Sequence, residues 1–254
     1  MLNDPLFYLA AIPAVLITSI SKGSMGMGLG IAALPLLALV LPPDRAAGVL
    51  LPLLCLMDLF TLYLYRGQWE GRVLRIAVPG ALVGIVVGML SFREFSPHLL
   101  RLQLGIIAMG FTLFYWLGGA QKLNPQPLSA PKGIFWSGLS GFTSFVAHGG
   151  GPPFSVFLLP LRLDKARMVG TTTVFFALVN FLKVVPYFYL GQFSEENLRL
   201  TAVLVPAVPA GVFLGWWLQN RMDTALFYRI AYLFVFIVGI KLFMDGASHY
   251  LLSL

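Results

Sequence analysis

Apolar residues fall in ten blocks along the chain, separated by short polar or glycine-rich interruptions. In the first half the blocks cover about 5 to 20, 31 to 41, 46 to 65, 74 to 91 and 99 to 118. In the second half they cover about 133 to 146, 154 to 163, 167 to 190, 197 to 218 and 224 to 245. A helix needs roughly 20 apolar residues to cross a bilayer. The third and fourth blocks of each half approach that length and the second blocks do not, which predicts half-length helices there. The pattern predicts an all-α membrane protein of two inverted repeats, each with a short broken or re-entrant helix pair followed by about three transmembrane helices. Residues 1–118 form the first repeat, 119–132 a linker and 133–254 the second. The Gly, Pro and Asn content of 118–127 marks the boundary.

Two interruptions stand out. Ser21-Lys22-Gly23-Ser24-Met25-Gly26-Met27-Gly28-Leu29-Gly30 breaks the apolar run from Leu6 to Leu41, and Ala147-His148-Gly149-Gly150-Gly151-Pro152-Pro153 breaks the second half. Bare backbone N–H and C=O groups are not tolerated in hydrocarbon, so irregular backbone at membrane depth belongs inside protein or beside a cavity. Paired interruptions at corresponding places in two halves point to a transporter's binding site.

The halves align in order. Asp44-Arg45-Ala46 matches Asp164-Lys165-Ala166, Tyr65 with Gly67-Gln68-Trp69 matches Tyr189 with Gly191-Gln192-Phe193, and Val78-Pro79, Gly84 and Gly88 match Val205-Pro206, Gly211 and Gly215. Charge decides their relative orientation. If each half crosses an odd number of times, Arg66, Arg72, Arg75, Lys122, Lys132, Arg162, Lys165, Arg167 and Arg221 share one face, against Arg45, Arg93, Arg101 and Arg199 on the other. Parallel repeats would divide the same cations almost evenly. Cytoplasmic loops carry the excess of Lys and Arg, so inverted repeats are expected, with both termini outside.

Composition agrees with the block pattern: 58% of residues are hydrophobic, 11% are charged, and the mean hydropathy is +0.85, where soluble domains carry about 25% charged residues. The net charge of +7 lies between apolar blocks rather than in one cluster, so it reads as a topology signal and not as a nucleic-acid surface. Cys55 is the single cysteine, which excludes an internal disulfide. No cleavable leader is expected at the start of the chain, and no cofactor is called for.

The breaks combine what an anion seeks: amides at helix N-termini and nearby positive groups. The expected binding set is Lys22, Gly23, Ser24, Gly26 and Gly28 from the first break and His148, Gly149, Gly150 and Gly151 from the second. Thr171, Asn180 and Lys183 join them from the adjacent long block. Asp58 sits deep in an apolar block, where an ionised carboxylate must face a cavity, find a partner or stay protonated; it is the candidate coupling residue for H+ or Na+. Each feature has a plainer reading. The glycines can serve packing, Asp58 can be a structural hydrogen-bonding group, and Lys183 can snorkel to the interface. Gly84 with Gly88, and Gly211 with Gly215, read as packing pairs.

The Gly-rich first break followed by Ala33-Leu34-Pro35-Leu36-Leu37, the repeated Asp-Arg/Lys-Ala turn, Val169-Gly170-Thr171-Thr172-Thr173 and Tyr189-Leu190-Gly191-Gln192-Phe193 together resemble the sulfite exporter TauE/SafE family of membrane transporters, over roughly residues 6 to 245. The resemblance implies a multi-pass carrier of the bacterial inner membrane for small sulfur-containing or organic anions such as sulfite or sulfonates, and often export. Thiosulfate-importing relatives use cysteines in the central site, and neither break contains one. A secondary transporter is the first reading and an anion channel the second. An intramembrane enzyme is the third, and it lacks any H-E-x-x-H, G-x-S-x-G or paired-carboxylate motif.

Overall fold

The computed structural model describes residues 4–24, 32–92, 94–119, 123–218 and 224–251. The described elements are helical throughout: α1 Pro5–Ser24, α2 Ala33–Leu37, α3 Pro43–Leu64, α4 Gly71–Phe92, α5 Pro97–Trp116, α6 Ala130–Ala147, α7 Gly151–Leu158 with a 3-10 turn at Leu159–Leu161, α8 Lys165–Tyr189, α9 Glu195–Leu204, α10 Ala207–Leu218 and α11 Thr224–Leu251. Helices start where the chain supplies caps: the Ser96, Asp164 and Ser194 side chains accept from Leu99 N, Arg167 N and Asn197 N, satisfying amides that a first turn leaves open.

The apolar blocks and the helices correspond, with three differences. The first helix runs through Ser24, so Ser21 to Ser24 belong to its last turn and not to the break. The second block shrinks to the five-residue α2. The block at 197–218 is two helices, α9 and α10, meeting at 41°. Pro206 and Pro209 remove two backbone donors within one turn there, whereas the matching α4 holds only Pro79 and stays whole. Five described helices are long and apolar enough to span a membrane, α1, α3, α4, α5 and α8, and the bent α9–α10 pair makes a sixth. α6 has eighteen residues but carries Ser137, Ser140, Thr143 and Ser144, all of them buried.

Packing is reciprocal between the halves. α1 lies against α10 and α6 against α4; α5 pairs with α11, and α3 with α8. The glycine pairs make the first two contacts close. A Cβ on Gly84 would stand 1.9 Å from Gly138 O, and one on Gly215 would stand 2.1 Å from Ile20 O. Helix axes approach this tightly only where side chains are absent.

α3 and α8 run in opposite directions. Gly48, near the start of α3, packs on Gln192 O just beyond the end of α8, and Gly170, near the start of α8, packs on Gln68 O just beyond the end of α3. At one end of the molecule, Arg45 at the start of α3 pairs with Glu196 at 2.8 Å and donates to Asn197 Oδ1 at 3.2 Å. At the opposite end, Arg167 lies 3.6 Å from Glu70. Glu70, Arg72, Gln126 and Arg167 there line an open cleft of about 510 Å³. The loop after α3, the linker and the loop before α8 therefore share one face.

The glycine contact makes a direct test. Gly84→Val should lower the melting temperature in detergent by several degrees, since forcing atoms into a close-packed contact costs about 1–3 kcal/mol. Gly110→Ala, where an added Cβ meets nothing within 4 Å, should leave melting unchanged or raise it slightly. Equal melting of Gly84→Val and the parent would refute the tight α4–α6 contact.

Candidate functional site

Lys22 stands in the last turn of α1, where the negative end of the helix dipole favours a cation. That end is held by α3: the Tyr65 hydroxyl lies 2.8 Å from Gly23 O and 3.1 Å from Ser24 O, carbonyls that a helix terminus leaves unpaired. Lys22 Nζ donates to Asp58 Oδ1 in an ion pair. From the second half of the chain, Asn180 Nδ2 of α8 donates to the other carboxylate oxygen at 2.6 Å. Asp58 is 1% exposed, while the Lys22 side chain keeps 14%. A carboxylate this deep is held by two donors, one charged and one neutral.

The second half builds a matching arrangement. α6 ends at His148 in the left-handed region, φ 49°, and its last carbonyls are closed by Gly149 N to Thr143 O and His148 N to Ser144 O, each at 3.1 Å. The turn points the imidazole at α3 and α8. His148 Nε2 lies 3.1 Å from Ala47 O, a contact that requires an N–H on that nitrogen. Nδ1 is then the acceptor for Lys183 Nζ at 2.9 Å. Lys183 also donates to Ser144 O and Ser144 Oγ, both at 3.0 Å. An ammonium has three donors, and all three are used by residues of α6 and its C-cap. Lys183 is 0% exposed, so it is caged and does not snorkel.

In each half, then, the residue at the end of the first helix grips a residue within the third long helix: Lys22 with Asp58, His148 with Lys183. The signs differ, and Asn180, which donates to Asp58, stands three residues before Lys183 on α8. Among the described residues Lys22 has one side-chain partner, whereas Lys183 is saturated. Aromatic rings wall the second arrangement, with the Tyr187 hydroxyl donating to Phe145 O at 2.7 Å and Phe145 and Tyr187 meeting edge to face.

The structure thus brings Lys22, Asp58, His148, Asn180 and Lys183 together and places the other expected residues differently. Thr171 Oγ1 accepts from Glu70 N at 2.9 Å, roughly 18 Å of helical rise from Lys183. A Cβ on Gly23 would stand 2.1 Å from Val212 O, so this glycine serves the α1–α10 contact. Ser24 Oγ turns back to Ser21 O at 3.2 Å. Gly26 and Gly28 lie outside the described residues. Gly150 is packed against α6, accepting from Ser140 Oγ at 2.7 Å. The Gly149 amide is spent on Thr143 O, and Pro152 and Pro153 have no N–H, so the start of α7 offers only the amides of Gly150 and Gly151. Side chains rather than amides dominate the charge here.

Three residues of this region escape sequence reasoning. Ser144 holds Lys183, and its position one turn before His148 is the signal for it. Tyr65 closes the end of α1. Thr18, one turn before Lys22 and so on the same helix face, is fully buried with no partner for Oγ1 among the described residues.

The family model described as Sulfite exporter TauE/SafE matches residues 11–242. No curated protein and no solved structure matches. With that coverage the chain belongs to the TauE/SafE family, whose members are membrane transporters and not enzymes, and it is a multi-pass integral membrane protein.

Proposed function

We propose that this protein is a secondary transporter of small sulfur-containing or organic anions, sulfite and short sulfonates being the expected class, exporting them across the bacterial inner membrane down their own outward gradient. The observation that carries the reading is the state of Lys22. It is a cation at a helix end with one carboxylate partner among the described residues and residual exposure, whereas the donors of Lys183 are all occupied. Lys183 is spent on Ser144 and His148, and Lys22 has donors to give. The anion sits against Lys22 at the end of α1, beside the place where Asp58 and Asn180 meet, with Thr18, one turn earlier on α1, as a further donor. Sulfite and sulfonates suit this place because their oxygens accept several hydrogen bonds around one negative charge.

The two halves act as inverted repeats. This reading is supported by the opposite directions of α3 and α8, by the reciprocal α1–α10 and α6–α4 contacts, and by the shared face of the Glu70 and Arg167 loops. That face, rich in Lys and Arg, is the cytoplasmic one by the positive-inside rule. Alternating access then comes from one half rocking against the other around a site near the midplane.

Two experiments test these readings. In proteoliposomes, sulfite or isethionate counterflow should be saturable, which separates a carrier from a channel. Lys22→Gln should reduce it at least tenfold while the protein remains monodisperse. Counterflow at the parental rate in Lys22→Gln would remove Lys22 from the site. In intact cells, single cysteines at Gln68 and at Lys165 in a Cys55→Ser background should both resist an impermeant thiol reagent. Labelling of one and protection of the other would exclude the inverted arrangement.

A further inference from the structure

We propose that protonation of Asp58 on Oδ1 hands Lys22 over to the anion, so that each anion is bound together with one proton. This rests on the anion-transport reading above and specifies its coupling. In the empty site Lys22 and Asp58 neutralise one another. An anion arriving alone would compete with a carboxylate for the same ammonium and add an uncompensated negative charge to a low-dielectric place. A proton arriving alone would leave Lys22 without a counter-charge. Arriving together, they keep the charge of the site unchanged. The balance is simple: one O–H bond forms on Asp58 with a proton from water, Lys22 keeps its three N–H bonds, and the anion takes the place of the carboxylate opposite Nζ. The new carboxyl O–H can donate to the anion as well.

The geometry holds Asp58 in place through this exchange. Asn180 donates to Oδ2 at 2.6 Å, and that oxygen remains an acceptor whether Oδ1 is protonated or not. The same arrangement argues for a proton over Na+. Both carboxylate oxygens already receive N–H donors, one from a cation, so a metal ion would have to share its oxygen with an ammonium. Other ionisable groups facing Asp58 are few. Lys183 of α8 is saturated by Ser144 and His148, and His148 is held with its proton on Nε2 by Ala47 O. Cys55 lies one turn away on α3 itself, and α2 and α10 carry no ionisable side chain. On α9, Glu195, Glu196 and Arg199 belong to the far end with Arg45. On α5, His98 and Tyr115 stack on α11 residues, and Arg101 sits in the first turns with His98.

The test is binding of isethionate, whose sulfonate does not titrate near neutrality, to purified protein in detergent from about pH 5 to about pH 9. For the parent, Kd should rise with pH toward about tenfold per pH unit, the slope of one linked proton. Calorimetry in buffers of different ionisation enthalpy should show uptake approaching one proton per anion on that limb. Asp58→Asn keeps the shape and the acceptor for Lys22 but cannot ionise, so it should bind without pH dependence and take up no proton. In proteoliposomes it should exchange anion but not accumulate it under a pH gradient. A Kd flat across the range with no proton uptake by the parent overturns the proposal even if Asp58→Asn does not fold, as does an Asp58→Asn protein that retains the parental slope. Absence of binding by isethionate, sulfite and sulfoacetate at every pH would instead overturn the anion-site reading on which the proposal stands.

Discussion

A charge buried in a membrane protein must be answered by another group, and the centre of this molecule is arranged around that requirement. Removing one partner of a buried ion pair costs about 3–5 kcal/mol, because the survivor is left desolvated. Asp58 is therefore the residue that decides where α1 and α8 can sit. α1 must bring Lys22 to one oxygen and α8 must bring Asn180 to the other. Those two demands fix three helices from both halves of the chain about one carboxylate. The same logic closes Lys183, whose three donors are met within one turn of α6 and its cap.

The helix breaks make these meetings geometrically feasible. A continuous α6 would carry His148 past α3, but the left-handed residue at its end turns the imidazole back between Ala47 and Lys183. α1 runs two residues past Lys22, its last carbonyls closed by Tyr65, and presents Lys22 from within its final turn. The glycines in and near these ends are largely spent on proximity between helices: Gly23 against Val212, Gly150 against Ser140. An anion site built this way owes its charge to side chains and its compactness to missing side chains.

Much of the frame could be read from the chain because its signals are local. Apolar blocks of span length became α3, α4, α5 and α8, and the Gly84–Gly88 and Gly211–Gly215 pairs lie at close helix contacts. Asp58, Asn180 and Lys183 were conspicuous for the same reason, since polar groups in apolar blocks are costly anywhere. What stayed hidden was partnership across distance. Nothing within α1 or α3 announces that Lys22 answers Asp58, 36 residues away, or that Ser144 answers Lys183, 39 residues away. Thr171 misled in the opposite direction: a hydroxyl in an apolar helix looked like a ligand donor, and its oxygen serves the Glu70 amide at the loop face. The joint between α9 and α10 was overlooked because Pro79, in the matching place, breaks nothing; the second proline, Pro209, makes the difference.

That joint gives the two halves unequal mechanics. α9 is tied to α3 by Thr201 to Val49 O at 3.0 Å and by the Arg45–Glu196 pair, while α10 packs mainly on α1 and meets α3 through the Phe60–Phe213 ring pair. The bend at Val205 and Pro206 thus divides a segment held to α3 by polar bonds from one packed mainly on the helix that carries Lys22. α4 has no such division, so α6, which ends at His148, packs along one unbroken helix. One half of the protein thus presents a jointed helix pair to its neighbour and the other a continuous helix, and Lys22, the cation with donors to give, stands on the helix packed against the second arm of the joint.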